Sequence, residues 1–163
     1  MNTNWKHILE AAVLIALYVL LGNARSVEQN PLIPGAVIAV NMFVPVLAGI
    51  LFGARTGFLV GLLGTLINAF TPAGSVFELL SVAPHAVMGY AAGFASQRLP
   101  SPIATLSLVI GQSLNILLFS LFGLIPLGNL ILPEFWVGIA YEILIGSVAA
   151  IILMTLYRMG VER

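Results

Sequence analysis

Three polar side chains that could bind a ligand or ionise stand in the stretch ELLSVAPHAVMGYAAG, residues 78–93, of an otherwise apolar chain. Glu78, Ser81 and His85 fall at i, i+3 and i+7, a spacing that places a carboxylate, a hydroxyl and an imidazole on one face of a helix. Two glycines continue that face, and small residues let a neighbouring helix approach closely. The pattern predicts a helix with one binding half and one packing half.

Composition identifies the class of protein to which this helix belongs. Of the 163 residues, 60% are hydrophobic and 7% are charged, and the mean hydropathy is +1.10. Soluble domains contain about 25% charged residues. We therefore expect an all-α integral membrane protein that forms one domain over residues 1–163. Because a membrane helix needs about 20 apolar residues, the chain has room for at most six or seven spans.

Apolar stretches separated by proline- and glycine-rich links predict a bundle of six transmembrane helices. Their approximate limits are 7–27, 36–52, 56–70, 77–97, 103–125 and 135–157. The third stretch carries Gly57, Gly61, Gly64 and Asn68 at i, i+4, i+7 and i+11. This ridge of small residues predicts a surface on which another helix packs at short range.

The distribution of basic residues predicts the orientation of the bundle. Five of the six fall at the termini and in the links on one side of a six-helix chain, namely Lys6, Arg55, Arg98, Arg158 and Arg163. Since basic residues concentrate on the cytoplasmic side, both termini should be cytoplasmic. Arg25 alone falls on the outer side, where it suits either an anionic ligand or a simple interfacial position.

When residues are counted along the six predicted spans, most polar side chains fall in the outer half of the bundle. Intramembrane polar groups are costly and by default mark a site. We predict that substrate is bound by Arg25, Asn41, Asn68, Glu78, Ser81, His85, Gln112, Asn115, Trp136, Tyr141 and Glu142. The alternative is that these groups bond one another across helices, as His85 with Glu142 could, and that the aromatic residues form an interfacial belt.

The predicted ligand is a small ring-containing metabolite with polar or charged groups. Aromatic side chains in the outer halves of the fifth and sixth helices, Phe119, Phe122, Trp136 and Tyr141, would supply flat walls for its ring. The inner halves are poorer in polar groups. We therefore expect a pocket that is open to the outside and closed below, between the fourth, fifth and sixth helices and under the first loop.

Several functions are disfavoured by what the sequence does not contain. It has no GxxxxGK[ST] phosphate loop, and its single lysine is Lys6. It has no HExxH motif and only two histidines, so we expect no metal site. The absence of cysteine argues against thiol and iron–sulfur chemistry, and a net charge of zero argues against nucleic acid. We therefore expect no enzymatic activity and no cofactor.

Three segments resemble one family of membrane proteins. The run AAVLIALYVLL contains Ala12 and Ala16 in an AxxxA spacing. GARTGFLVGLLGTLINAF at residues 53–70 is a glycine-rich link and helix, and a GxxxG follows at Gly89 and Gly93 in a helix that ends in Gln-Arg. Together with the six spans and cytoplasmic termini, these segments resemble the substrate-binding S components of energy-coupling factor (ECF) transporters.

The resemblance implies a multi-pass protein of a prokaryotic plasma membrane, surrounded by lipid, that captures a vitamin-like metabolite with high affinity from outside. The first extracellular loop would act as a lid. Ala12 and Ala16 would dock on a transmembrane coupling subunit that is driven by two cytoplasmic ATPases. Ligand positions differ between vitamins in the family, so only these two alanines are carried over by motif.

Two other functions fit the sequence. One is a self-sufficient small transporter or channel that forms oligomers through the glycine ridges of the third and fourth helices. The other is a ligand-free membrane assembly protein whose polar residues only join helices to one another.

Overall fold

The computed structural model describes residues 3–24, 39–72, 74–94 and 100–161, and all regular structure within them is helical. The all-α class is therefore confirmed. The described α-helices are α1 Thr3–Ala24, α2 Phe43–Phe52, α3 Ala54–Ala69, α4 Val76–Leu80, α5 Val82–Ala92, α6 Pro100–Leu121 and α7 Pro133–Val161. A 3-10 turn at Val40–Met42 precedes α2, and another at Leu127–Ile131 joins α6 to α7.

Two described helices are long and apolar enough to cross a membrane, with stretches at Ser101–Leu121 and Pro133–Gly160. Three further apolar helices are shorter, at Ile8–Ala24, Val40–Phe52 and Ala54–Ala69. At 1.5 Å per residue, the 16 residues of α3 extend about 24 Å, which is less than a hydrocarbon core of about 30 Å. The six spans and the cytoplasmic termini therefore stay predictions.

Helix α2 lies at the centre of the bundle. Every residue from 41 to 49 is buried, and α2 contacts α1, α3, α5, α6 and α7. Its own side chains Val44 and Leu47 share one apolar core with Val60, Met88 and Leu108 of the neighbouring helices. The outer surface is also apolar, with exposed residues such as Leu20, Leu106, Leu144 and Ile152. An apolar exterior of this extent suits contact with lipid.

The predicted fourth span is interrupted at Ser81, which divides it into α4 and α5. The cause is Pro84, which has no N–H to donate to the carbonyl four residues earlier. The break is stabilised by Ser81 itself, since its N–H donates to the Phe77 carbonyl at 2.9 Å and its Oγ–H donates to the same oxygen at 2.8 Å. Helix α5 then resumes with the His85 N–H bonded to the Ser81 carbonyl at 2.9 Å.

The glycine ridge of α3 packs at short range, as its spacing predicts. A Cβ atom on Gly57 would collide with the Gly89 carbonyl of α5, and one on Gly61 would collide with the His85 carbonyl. Further along the ridge, a Cβ atom on Gly64 would lie 3.0 Å from the ring of Tyr18 in α1. These glycines are all buried within the chain. Within the chain these glycines of α3 are therefore used for packing against α1 and α5.

Candidate functional site

The structure places six of the predicted site residues in two buried polar clusters rather than one. Between α1, α3, α4 and α5 lies a set that we call the tyrosine cluster: Tyr18, Thr65, Asn68, Glu78 and His85. Between the first 3-10 turn, α6 and α7 lies the glutamine cluster: Met42, Gln112, Asn115 and Glu142. These hydrogen bonds place His85 in the first set and Glu142, its suggested partner, in the second.

Tyr18 is the centre of the tyrosine cluster and is fully buried. Its hydroxyl donates to Oε1 of Glu78 at 2.9 Å and lies 2.7 Å from Nδ1 of His85. The same carboxylate oxygen accepts a second hydrogen bond from Nδ2 of Asn68 at 2.8 Å, and Oγ1 of Thr65 lies 3.0 Å from the histidine nitrogen. Hydrogen bonds thus connect four helices at one buried point.

Asn23 extends the tyrosine cluster along α1. Its Nδ2 donates to Oδ1 of Asn68 at 3.2 Å and to the Val19 carbonyl at 2.9 Å. Gly22 makes this approach possible, because a Cβ atom there would lie 2.5 Å from the same Oδ1. The amide of Asn68 therefore connects Asn23 to Glu78 and holds α1, α3 and α4 in register.

The glutamine cluster is equally buried, with Gln112 and Asn115 each 5% exposed and Glu142 6% exposed. Nε2 of Gln112 donates to Oε2 of Glu142 at 2.8 Å and lies 3.3 Å from Sδ of Met42. Nδ2 of Asn115 donates to Oε1 of Gln112 at 3.3 Å, in agreement with the three-residue spacing that puts both amides on one face. Gln112 thereby links α6 to α7 and to the turn before α2.

Two amide side chains near this cluster have polar atoms with no hydrogen-bond partner among the described residues. They are Asn41, through both Nδ2 and Oδ1, and Asn115, through Oδ1. Asn41 is fully buried in the 3-10 turn that contacts α1 and α7. Buried polar groups are nearly always paired, because leaving one unpaired costs about 1–3 kcal/mol. These three atoms are therefore suited to bind the polar groups of another molecule.

The six-span prediction puts Asn41 and Gln112 at similar depth. Asn41 stands eleven positions before the end of α2 and Gln112 twelve positions after the start of α6, which correspond to about 17 and 18 Å along the helix axes. In the predicted alternating bundle these two helix ends lie on the same side, so both side chains are expected near the middle of a hydrocarbon core of about 30 Å.

Three other predicted site residues, Ser81, Trp136 and Tyr141, do not take part in the hydrogen bonds described for either cluster. Ser81 is buried, but its hydroxyl bonds the Phe77 carbonyl at the helix break. Trp136 is 50% exposed and donates to the Leu130 carbonyl at 2.8 Å, while Tyr141 is 38% exposed. That exposure agrees with the alternative of an interfacial aromatic belt. Arg25 and the first loop lie outside the described residues.

Sequence reasoning did not identify Tyr18 and Thr65 as members of a buried polar cluster. A signal for Tyr18 was present, because Leu14, Tyr18 and Gly22 follow one another at steps of four and form the buried face of α1. Ala12 and Ala16 lie on its exposed side. Helix α1 therefore has a packed face and an open face that carries the AxxxA motif.

Comparison with known families identifies the chain. The family model described as "ECF-type riboflavin transporter, S component" matches residues 2–159, which is nearly the full length. No curated protein and no solved structure shows significant similarity. Members of this family are transporter subunits of prokaryotic cell membranes rather than enzymes. The chain therefore belongs to the S components, the substrate-binding membrane subunits of ECF-type transporters.

Proposed function

We propose that this protein captures riboflavin from outside the cell with high affinity and presents it to a shared ECF module. The name of the matching family supports the choice of vitamin. The single observation that carries the proposal is the set of buried, unpartnered amide atoms on Asn41 and Asn115 beside the glutamine cluster. A ligand with complementary donors and acceptors would satisfy them.

Riboflavin has the required chemistry. Its tricyclic ring ends in an imide edge, where an N–H donor stands between two carbonyl acceptors, and its ribityl chain carries hydroxyl groups. An asparagine side chain offers one acceptor and two donors, so Asn41 is able to pair with that edge. Oδ1 of Asn115 offers a further acceptor. The carboxylate of Glu142 is suited to accept from a hydroxyl.

The packing below the glutamine cluster supports a substrate pocket that is closed at its inner end. One helical turn after Glu142, a Cβ atom on Gly146 would lie 3.2 Å from both Leu108 Cδ1 and Met42 Cε. These three residues are buried and apolar. A ring held by the amides above would rest on this apolar surface, and passage straight through the bundle would be blocked.

The proposal divides the predicted site residues between two roles. Asn41, Gln112, Asn115 and Glu142 contact the substrate, while Arg25 stays a predicted site residue. The tyrosine cluster instead holds α1 against α3, α4 and α5, because its hydrogen bonds join side chains of all four helices. The proposed bundle has six spans with both termini in the cytoplasm.

Transport would be energised by partners. The chain contains no phosphate-loop motif, so ATP would be hydrolysed by two cytoplasmic ATPases attached to a transmembrane coupling subunit. Ala12 and Ala16 form the proposed docking patch, and both are exposed on α1. Small side chains of this kind allow close helix approach in lipid.

Native mass spectrometry of the protein as purified tests the identity of the substrate. We expect a species heavier than the polypeptide by the mass of one riboflavin, with the visible absorption of a flavin. A different bound vitamin would contradict riboflavin but keep the transport role. Protein that neither carries a small molecule nor takes up added riboflavin would contradict the proposal as a whole.

A further inference from the structure

A groove of about 490 Å³ runs along the outside of the bundle between α3 and α5. It is lined by Arg55, Phe58, Leu59, Val87 and Tyr90, all of them exposed, and none belongs to either polar cluster. Neither the family match nor the proposed substrate pocket assigns a role to this surface.

The glycine contacts between α3 and α5 show which residues of the groove lie side by side along the two helices. Gly57 meets Gly89 and Gly61 meets His85, so α3 and α5 run antiparallel. Arg55 stands two positions before Gly57, and Tyr90 stands one position after Gly89, which puts these two polar side chains at the same end. That end is the cytoplasmic side in the proposed topology.

The rest of the groove is apolar. Phe58, Leu59 and Val87 lie about one turn farther into the membrane, with exposures of 38%, 44% and 39%. The ring centroids of Phe58 and Tyr90 lie 6.4 Å apart in an edge-to-face arrangement, and those of Tyr90 and Phe94 lie 5.0 Å apart in the same arrangement. Tyrosine is enriched at membrane–water interfaces, which suits the position of Tyr90 between the apolar wall and the charged end.

Arg55 is the charged group at the end of the groove. Its side chain is exposed and makes no hydrogen bond or ion pair with the described part of the chain. A guanidinium presents several N–H donors in a planar fork that matches the oxygens of a phosphate. The surface of the groove is itself apolar, so Arg55 lines it with the aliphatic part of its side chain, and its phosphate-binding guanidinium belongs to the edge of the groove.

We propose that this groove is a binding site for one anionic phospholipid of the inner leaflet. The phosphate binds Arg55 and an acyl chain lies along Phe58, Leu59 and Val87. A single positive charge at one end of an apolar groove complements an amphiphile with a single negative charge, and anionic lipids attract basic residues at the cytoplasmic surface. The proposal rests on the proposed topology and is independent of the substrate.

Native mass spectrometry with added lipid tests the site. The purified protein is titrated with phosphatidylglycerol, and separately with phosphatidylcholine of the same acyl chains. We expect one retained phosphatidylglycerol and weaker retention of phosphatidylcholine. Arg55→Gln should weaken phosphatidylglycerol binding about fivefold, since one basic residue near a charged surface contributes roughly that factor.

Arg158→Gln is the matched control, because it removes the same charge near the predicted cytoplasmic end of α7 and does not line the groove. It should leave phosphatidylglycerol binding unchanged. Val87→Trp fills the groove at an exposed position and should lower retention of both lipids. Equal losses in the two arginine variants, or no preference between the two lipids in the wild type, would overturn the proposal.

Photo-crosslinking separates lipid from a protein occupant. A photoreactive phenylalanine analogue at Leu59, in whole cells that contain the ECF module, should form adducts with phospholipid. Adducts found only with the coupling subunit would show that the groove is a protein docking site, which would also overturn the proposal.

Discussion

The hydroxyl of Tyr18 lies 2.9 Å from Oε1 of Glu78 and ties the helix that carries the AxxxA motif to the helix that ends at the Ser81 break. We propose that helix α1 has two functions on two faces. Its exposed face carries the proposed docking patch, and its buried face anchors the helix to the rest of the bundle through Tyr18.

Tyr18→Phe should lower the free energy of unfolding by about 1–3 kcal/mol. The substitution keeps the ring packed against Gly64 but removes the hydrogen bonds to Glu78 and His85 in a buried site. Chemical unfolding in detergent measures the effect. Tyr157→Phe, at a position 41% exposed, is the control and should change stability little. Equal effects in the two variants would show that the tyrosine cluster does not stabilise the fold.

Gly61→Ala should destabilise the protein by about 1–3 kcal/mol, the usual range for overpacking. The added methyl would collide with the His85 backbone carbonyl, so α3 and α5 would have to separate. Gly160→Ala is the matched control, since it lies in α7 with nothing within 4 Å of the new methyl, and alanine favours a helix. Thermal unfolding of both variants tests this, and a Gly61→Ala protein as stable as Gly160→Ala would contradict the packing described.

Ala16→Trp should block assembly with the coupling subunit and ATPases while leaving riboflavin affinity unchanged. A bulky side chain on the exposed face of α1 would force the partner helices apart. Ala140→Trp, on the exposed side of α7, is the control and should assemble normally. Co-purification of the module is the measurement, and wild-type recovery with the Ala16→Trp protein would argue against this docking patch.

The proposed topology predicts which positions are reachable from outside. Because the chain has no cysteine, single cysteines can be introduced without further changes. Asn129→Cys, in the turn between α6 and α7, should react with a membrane-impermeant reagent on intact cells, as should Asn30→Cys. Ser101→Cys, at the start of α6, should react only after lysis. The reverse pattern would invert the bundle and every depth assigned from it.

The sequence predicted the elements of the fold better than the composition of the site. Apolar runs and glycine spacing are local signals, so the all-α class and the close packing of Gly57, Gly61 and Gly64 were both predicted correctly. The break at Ser81 was signalled by Pro84, but its position depends on the hydrogen bonds that Ser81 makes to Phe77.

The division into two clusters could not be predicted from depth alone. Counting residues along a helix gives the depth of Glu78 or Glu142 in the bundle. It does not give the side of the bundle on which the residue lies, because that depends on how the helices are arranged around α2. Thr65 and Tyr18 stand among apolar neighbours in the sequence, and only the packing of α3 on α5 and of α1 on α3 brings them to His85.

Calorimetric titration of the purified protein with riboflavin tests the central claim most directly. The wild type should bind one riboflavin, and Asn115→Ala should bind it about 5-fold to 150-fold more weakly, which corresponds to about 1–3 kcal/mol for a buried polar contact. Ser113→Ala, on the exposed side of α6, should bind like the wild type. A wild-type protein that does not bind riboflavin, or an Asn115→Ala protein with unchanged affinity, would contradict the proposed substrate site.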